Sequence, residues 1–479
     1  MRREGAMSMC GGRREFIWRA GCLGAAAVAC PQGLFGADDK RLLRFGVVSD
    51  VHIGGRKSAP QRLETALRWL ADHDVDAVMF PGDVTHSGLI PEIERFAAIW
   101  YKVFPDGCGR DGRKVEIMIS TGNHDAAAGW VKGTDEWRTQ NVLAHRDNFV
   151  RVWDRLFHEK FELVWRKRIN GVDFMGSQWP SLKPELEKYM AEHGAEFDPA
   201  RPFFHCQHEH PAQTCHGNRG GMDRGQAGRA FAKHPNAVVF SGHSHYTIVD
   251  EQAVWQGAFT SIGSGCCHEG GLSIRVDNCS PFWYPGAKEH ILNTLNDPDN
   301  WGGDPDGGCF EMVDVHADHL VVARRSSVYD AEMGPDWIVP LPATADGSLS
   351  FERRKVGRTA PQFAAGAALT VEVCPNGCAE ARKARRSEPC LRVAIPNSVG
   401  ADGSRVFVYG LDVSCGGKSV RKGRIMAAGF SVPRKESDRT SVWLAALNEL
   451  PKGCDAVVTA TPEDCFGLTG RPLAATVRL

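Results

Sequence analysis

One repeated pattern constrains the fold of this chain more than any other feature. Between about Leu42 and Gly242, a short β-rich run repeatedly leads into a polar loop that carries His, Asp or Asn, and an amphipathic helix often follows. Strands that alternate with helices are typical of an α/β sheet covered by helices. Functional side chains in such sheets gather outside the carboxyl ends of the strands. The pattern therefore predicts an α/β fold with one polar site where the loops converge.

The most concentrated polar cluster is Thr121-Gly122-Asn123-His124-Asp125, which follows the apolar run Val115–Ser120. Consecutive amide, imidazole and carboxylate groups are poorly suited to an apolar core and well suited to a site. Four other strand ends carry related clusters. They are Asp50-Val51-His52, Gly82-Asp83, His208-Glu209-His210 and Gly242-His243-Ser244-His245.

These residue types suit two divalent metal ions held close together. Such a site needs hard oxygen and imidazole ligands, with at least one carboxylate that bridges both ions, and Asp83 fits the bridge. The alternating pair His243 and His245 after a strand would point both rings at the same opening. Whether His208 or His210 is the ligand stays open, and we favour His208 because it is nearer the strand end.

Other histidines stand alone in the sequence, and we interpret them as ordinary surface or core residues. These are His145, His158, His234 and His268. His205 and His216 could help to bind substrate or could be bystanders. The tryptophans between about Ala126 and Leu182 are interpreted as core and helix packing rather than as a substrate-facing wall.

In order and type, the five clusters resemble the calcineurin-like metallophosphoesterase superfamily over about Leu42 to Tyr329. The resemblance implies a four-layer α/β/β/α sandwich that hydrolyses phosphoric esters with a metal-bridging hydroxide. It assigns the first metal to Asp50, His52, His245 and the shared Asp83. It assigns the second metal to Asn123, His208, His243 and Asp83. Mn, Fe and Zn all suit these ligands, so the metal identity stays open.

The resemblance also implies roles in the reaction. His124 would hydrogen-bond the phosphate or protonate the departing alkoxide. Asp125 would hold the tautomer and orientation of His124. Asn123 and His210 are expected to contact the substrate together with His124.

Two departures from related groups are informative. Purple acid phosphatases carry a metal-ligating tyrosine three residues after the bridging aspartate, where this chain has His86. The protein serine/threonine phosphatases of the superfamily carry Gly-Asn-His-Glu, where this chain has Asp125. The cluster is more similar to the bacterial phosphodiesterase and phosphomonoesterase branches.

Two alternatives remain beside a phosphatase. A cyclic-nucleotide or other phosphodiesterase would share every ligand and differ only in its pocket. A non-catalytic surface-binding protein on a phosphoesterase scaffold would belong to another class, but the complete ligand set favours an enzyme.

Charge and composition narrow the partners. Lys and Arg total 57 and Asp and Glu total 58, so no bulk field would hold nucleic acid or an anionic membrane. We expect a small phosphorylated substrate, no nucleic-acid patch and no transmembrane helix. The sequence indicates no oligomeric state.

The N-terminal residues 1–37 resemble a twin-arginine export signal, in which Arg13 and Arg14 precede the small apolar stretch Ala20–Ala29. The alternative is a chance arginine pair on a frayed terminus. Export would place the protein in the periplasm or on the cell surface, and Cys30 is a candidate for lipid attachment.

The remainder of the chain divides by composition. We predict a phosphoesterase domain over 42–330, a linker over 331–362 and a small all-β sandwich over 363–479. The sequence has 16 cysteines, and an exported location would permit disulfides in the sandwich. The candidates are Cys374, Cys378, Cys390, Cys415, Cys454 and Cys465.

Overall fold

The structure is a computed structural model that describes residues 40–479 except 128, 180–184, 219–221, 270–305, 345–346 and 380–388. The predicted export signal, with Arg13, Arg14 and Cys30, lies outside these described residues. None of the helices in the described ranges combines the length and the apolar character needed to cross a bilayer.

The elements are numbered in chain order. The strands are β1 Leu43–Val47, β2 Ala77–Pro81, β3 Glu116–Ser120, β4 Val164–Ile169, β5 Val172–Ser177, β6 Phe203–Cys206, β7 Ala237–Ser241, β8 Val254–Gln256, β9 Thr260–Gly263, β10 Cys309–Val315, β11 His319–Ser326, β12 Trp337–Pro340, β13 Gln362–Phe363, β14 Thr370–Cys374, β15 Cys390–Ile395, β16 Ser398–Val399, β17 Val408–Cys415, β18 Lys418–Met426, β19 Ser441–Ala446, β20 Asp455–Glu463 and β21 Leu473–Arg478. The helices are α1 Ala59–Asp72, α2 Ile90–Val103, α3 Asp135–Asn141, α4 Asn148–Phe157, α5 Leu186–His193, α6 Gln226–Phe231 and α7 Phe351–Lys355.

Two six-stranded sheets form the first part of the chain. The first has the order β12-β11-β10-β1-β2-β3, in which β1, β2 and β3 are parallel. The second has the order β4-β5-β6-β7-β9-β8, in which β5, β6, β7 and β9 are parallel. Parallel neighbours bring the carboxyl ends of successive strands to one edge of each sheet, which is where the polar clusters begin.

The two sheets pack face to face around a shared apolar core. The ring of Phe45 on β1 lies 5.2 Å from that of Phe174 on β5 and 5.0 Å from that of Phe204 on β6. The outer face of the first sheet packs against α1, α2 and α4, and that of the second packs against α5 and α6. The resulting order of layers is α/β/β/α, which confirms the predicted fold class.

The first helix, α1, buries one apolar face. Leu63, Leu67 and Leu70 of α1 are buried at helical spacing. Ser58 precedes the helix, but its side chain makes no capping hydrogen bond. The helix begins with Ala59 and Pro60, and proline is favourable at this end because its fixed φ suits the first turn.

The C-terminal part is all β, as predicted. The sheets β14-β15-β19 and β18-β17-β20-β21 are antiparallel and bury Leu391, Val413 and Trp443 in one apolar cluster. A disulfide joins Cys415 to Cys454. The stretch 331–362, predicted as a linker, includes β12, which pairs antiparallel with β11. The domain limits as such stay a prediction.

Candidate metal centre

The predicted ligands follow the parallel strands of both sheets. Asp50, Asp83 and Asn123 come after β1, β2 and β3, whereas His208 comes after β6 and the His243/His245 pair after β7. Five of these residues have left-handed backbone angles, an uncommon conformation that concentrates at functional sites. They are Asp50 (φ 50), His52 (φ 51), Asp83 (φ 51), His243 (φ 69) and His245 (φ 56).

One group of donors surrounds Asp50. His245 Nε2 lies 3.2 Å from Asp50 Oδ1 and 3.1 Å from His52 Nε2. His52 Nε2 also lies 3.6 Å from Asp83 Oδ2. The structure therefore brings together the four residues that the resemblance assigned to the first metal.

A second group shares the same oxygen of Asp83. His208 Nε2 lies 3.1 Å from Asp83 Oδ2, 3.1 Å from Asn123 Oδ1 and 3.1 Å from His243 Nδ1. Asp83 Oδ2 therefore lies near a histidine of each group, His52 of the first and His208 of the second.

Burial and donor chemistry fit divalent cations in both groups. Asp50 is 0% exposed and Asp83 is 1% exposed. Their ion-pair partners among the described residues are histidines, which can be neutral, rather than Lys or Arg. Imidazole nitrogens that approach each other at 3.1 Å need a proton or a cation between their lone pairs. Oxygen and imidazole donors in this mixture suit Mn, Fe or Zn.

Asp83 and His208 also shift each other's protonation. Burial opposes the charge on Asp83, but the charges of His208 and His124 outweigh it and lower the pKa of this carboxyl. Burial likewise opposes protonation of His208, but the charge and hydrogen bond of Asp83 raise its pKa to about 9. The Asp83 carboxylate is thus ionised at neutral pH, as a metal ligand requires.

His124 lies at the rim of the centre, half-buried, with its ring 4.6 Å from that of His52. Its backbone N–H donates to Asp83 Oδ1 over 2.8 Å. Its Nδ1 lies 2.6 Å from the carbonyl oxygen of His86. This carbonyl, and not the Asp125 carboxylate, therefore fixes the tautomer and orientation of the His124 ring.

The expectation that Asp125 orients His124 is corrected by its own contacts. The buried Asp125 carboxylate accepts from the backbone N–H of Thr85 at 2.8 Å, from Thr85 Oγ1 at 2.7 Å and from the Gly122 N–H at 2.9 Å. Burial and the nearby Asp83 charge raise its pKa to about 6. Asp125 instead ties together the two loops that carry Asp83 and Asn123.

The substrate role expected of His210 is also corrected. His210 is 1% exposed, and its ring nitrogens lie 2.8 Å from Ser241 Oγ and 2.6 Å from Ser244 Oγ. His208, not His210, reaches Asp83. His205 is buried within β6, 3.2 Å from Ser177 Oγ, where burial lowers its pKa to about 3.

Two buried neighbours of the centre follow β9, and they were not among the site residues predicted from the sequence. His268, interpreted as an ordinary residue, is buried with its ring 5.0 Å from that of His52. Glu269 is 0% exposed, its Oε1 lies 3.1 Å from His245 Nδ1, and its other oxygen forms an ion pair with Arg56. The available signal was another polar pair shortly after a parallel strand.

The tryptophans have divided roles. Trp153 and Trp165 are buried in the core, as expected. Trp130 is 60% exposed, with its ring 5.3 Å from His124. The ring of Trp179 lies 5.5 Å from that of His243 and lines a pocket beside the centre with Gln207 and Glu209. Trp130 and Trp179 therefore lie beside the centre rather than in the core, and a substrate-facing role for them stays untested.

One family model matches part of the chain. Residues 43–247 match the family model described as calcineurin-like phosphoesterase. No curated protein sequence matches the chain.

Similar solved structures are distant. A dimetal phosphatase from Danio rerio is 10% identical, with 63% of this chain and 99% of that chain covered and a TM-score of 0.37. A purple acid phosphatase from yellow lupin (Lupinus luteus) seeds is 12% identical, with 62% and 53% covered and a TM-score of 0.41. These similarities are too low to carry an argument about activity. Residues 43–247 are thus similar to the calcineurin-like phosphoesterase family, and the His and Asp groups around Asp83 fit a dinuclear metal site.

Proposed function

We propose that the chain hydrolyses phosphoric esters at a dinuclear metal centre bridged by Asp83. The observation that carries the proposal is the position of Asp83 Oδ2, which is 3.6 Å from His52 Nε2 and 3.1 Å from His208 Nε2. One ion would be held by Asp50, His52, His245 and Asp83. The other would be held by Asn123, His208, His243 and Asp83.

Two divalent cations held there would supply Lewis-acid chemistry that acidifies water and offsets negative charge on a phosphoryl group. The side chains of Asp50, Asp83 and His208 are buried, whereas Asn123, His124 and His243 are half-buried. The substrate would therefore approach from the side of these three residues, between Trp130 and Trp179.

His124 is placed to move a proton to the leaving group. Since Nδ1 donates to the His86 carbonyl oxygen at 2.6 Å, the ring is held in one orientation and Nε2 is the nitrogen left for the substrate. Its Nε2–H can then hydrogen-bond the ester oxygen and transfer a proton to the departing alkoxide. As the oxygen of a water molecule bonds to phosphorus, the bond between phosphorus and the ester oxygen breaks, and the alkoxide leaves with this proton as an alcohol.

The test uses purified protein loaded with Mn²⁺ and both p-nitrophenyl phosphate and its bis-ester. We expect hydrolysis of at least one ester, and a fall in turnover of about 10²- to 10⁴-fold in His124→Ala with the bound metal retained. His193→Ala on the surface of α5 is the matched control and should keep full turnover. Full activity in Asp83→Ala would refute the dinuclear mechanism.

We also propose that the protein is exported. The Cys415–Cys454 disulfide supports this proposal, because disulfides persist mainly in oxidising compartments. A reporter fused to the N-terminal residues 1–37 should reach the periplasm, and an Arg13→Lys/Arg14→Lys variant should stay in the cytoplasm. Unchanged secretion of that variant would refute the twin-arginine route.

A further inference from the structure

We propose that His210, Cys215 and His216 form a further metal site, which takes a single Zn²⁺-type ion with a structural role. The three side chains are each at most 1% exposed, and their donor atoms all lie within 4.8 Å of one another. These residues have no part in the hydrolysis proposed above. They lie in the connection that follows β6, and His210 contacts Ser244, between His243 and His245.

The fold brings the two rings together at a glycine. His210 follows β6, and Cys215 and His216 begin a short 3-10 turn, Cys215–Asn218. The ring centroids of His210 and His216 are 4.9 Å apart. A Cβ on Gly263, at the end of β9, would lie 2.3 Å from His216 Nε2 and 3.3 Å from His210 Cε1. The missing side chain of Gly263 therefore leaves the space that both rings occupy.

The separation of the sulfur and nitrogen donors matches a shared ion. Cys215 Sγ lies 3.5 Å from His210 Nδ1. Two ligands in a tetrahedron around Zn²⁺, with Zn–S of about 2.3 Å and Zn–N of about 2.1 Å, are about 3.6 Å apart. The two donors are thus already at the spacing that one tetrahedral ion requires.

The surrounding hydroxyls direct lone pairs toward the same point. His210 Nε2 lies 2.6 Å from Ser244 Oγ and can donate its proton there, which leaves the lone pair on Nδ1. Ser241 Oγ lies 2.8 Å from Nδ1 and can donate its own proton to the carbonyl oxygen of Ile262 at 3.4 Å. Nitrogen, sulfur and oxygen lone pairs then face one another, as in a cation site.

Two further contacts orient the side chains that would bind the ion. Asp250 Oδ2 lies 3.6 Å from His216 Nδ1, an arrangement in which a carboxylate orients a ligating imidazole by its other nitrogen. Ser261 Oγ lies 3.4 Å from Cys215 Sγ and donates to it.

The site would act as a structural support rather than a catalyst. Its three donor residues are closed to solvent, which is typical of structural zinc sites and unlike catalytic ones with an open position. Through Ser244, the ion would fix the loop between His243 and His245, both ligands of the centre at Asp83.

The experiment is metal analysis and cobalt spectroscopy of the full chain. Zn²⁺-saturated wild-type protein should hold one more ion per chain than Cys215→Ser. Replacement by Co²⁺ should give a thiolate-to-cobalt charge-transfer band that weakens in Cys215→Ser. Cys266→Ser is the matched control, because Cys266 lies beside the other centre, with its Sγ 3.2 Å from the Asp50 carbonyl oxygen. That variant should keep both the extra ion and the full band.

Equal ion counts in folded wild type and Cys215→Ser, or a band that is unchanged in Cys215→Ser, would overturn the proposal. So would a band that disappears in Cys266→Ser, because its thiolate would then belong to the centre at Asp83. If Cys215→Ser does not fold, His216→Gln replaces it in the ion count. Wild-type protein that shows no thiolate-to-cobalt band overturns the proposal without any variant. None of these readouts depends on phosphoesterase activity.

Discussion

His245 illustrates how single residues of the centre are held in place. Its Nε2 faces Asp50 and its Nδ1 faces Glu269, 3.1 Å away. Glu269 is itself fixed by Arg56. A ligating histidine oriented by a buried carboxylate is a better base and loses less freedom when the ion binds.

Glu269→Gln should therefore weaken metal binding without removing a ligand. We expect the affinity for Mn²⁺ at the centre to fall about 10- to 100-fold, as for other residues that orient metal ligands. Isothermal titration calorimetry measures the change. Glu64→Gln on the surface of α1 is the control and should bind like wild type. Equal affinities for the wild type and Glu269→Gln would contradict this role.

The types and the order of the residues in the centre were predictable from the sequence, but the hydrogen-bond partners of several of their side chains were not. Asp125 is adjacent to His124 in the chain, yet its carboxylate turns inward to Thr85 while the His86 carbonyl meets the imidazole. Glu269 meets His245 only because β7 and β9 are neighbours in the sheet. Sequence adjacency does not determine side-chain direction, and pairings between strands require the sheet order.

At the scale of elements, the apolar strands with polar ends were predictable because burial on both faces leaves a continuous hydrophobic run. The C-terminal sandwich was predictable from its alternating runs. The strand β18, Lys418–Met426, was not anticipated, because lysine and arginine dominate it and most of its residues are exposed or half-buried. Its position in the sheet follows from its pairing with β17 rather than from its own hydrophobic pattern.

Strand β10 carries a buried acid that should make stability depend on pH. Glu311 is 0% exposed, and burial raises the pKa of its carboxyl to about 8, which the Ser264 hydroxyl and the Arg324 charge offset only in part. Between its ordinary pKa of 4.5 and 8, the folded chain keeps this proton and the unfolded chain releases it. The contribution of Glu311 to the free energy of unfolding should therefore fall as pH rises, by up to about 1.4 kcal/mol per pH unit.

Glu311→Gln removes this contribution. We expect its free energy of unfolding to exceed that of the wild type by more at pH 8 than at pH 5, because glutamine stays neutral throughout. Urea denaturation at both pH values measures the difference. A difference between the two proteins that is the same at pH 5 and pH 8 would show that Glu311 does not titrate as described.

At the scale of the whole molecule, the centre joins the two sheets. Asp50, Asp83 and Asn123 come from loops of the first sheet, and His208, His243 and His245 come from loops of the second. Ions bound between them should act as a cross-link, since ligands that bind only the folded state stabilise it.

Chelation should consequently lower the melting temperature. Free ion at 100 times the dissociation constant stabilises the folded chain by about 2.7 kcal/mol for a single site. Removal of the ions with EDTA should therefore lower the free energy of unfolding by about that amount, and the melting temperature with it. Differential scanning calorimetry with Mn²⁺ and with EDTA measures it. The shift should be smaller in Asp83→Ala, and an equal shift in both proteins would place the stabilising ions elsewhere.

The central claim is that one carboxylate, Asp83, is shared by two metal ions, and the electron paramagnetic resonance spectrum of the Mn²⁺-loaded chain tests it most directly. Bridged Mn²⁺ ions are exchange-coupled, so we predict the spectrum of a coupled pair in the wild type and its loss in Asp83→Ala. A wild-type spectrum of isolated Mn²⁺ ions, or a coupled spectrum that persists in Asp83→Ala, would contradict the account.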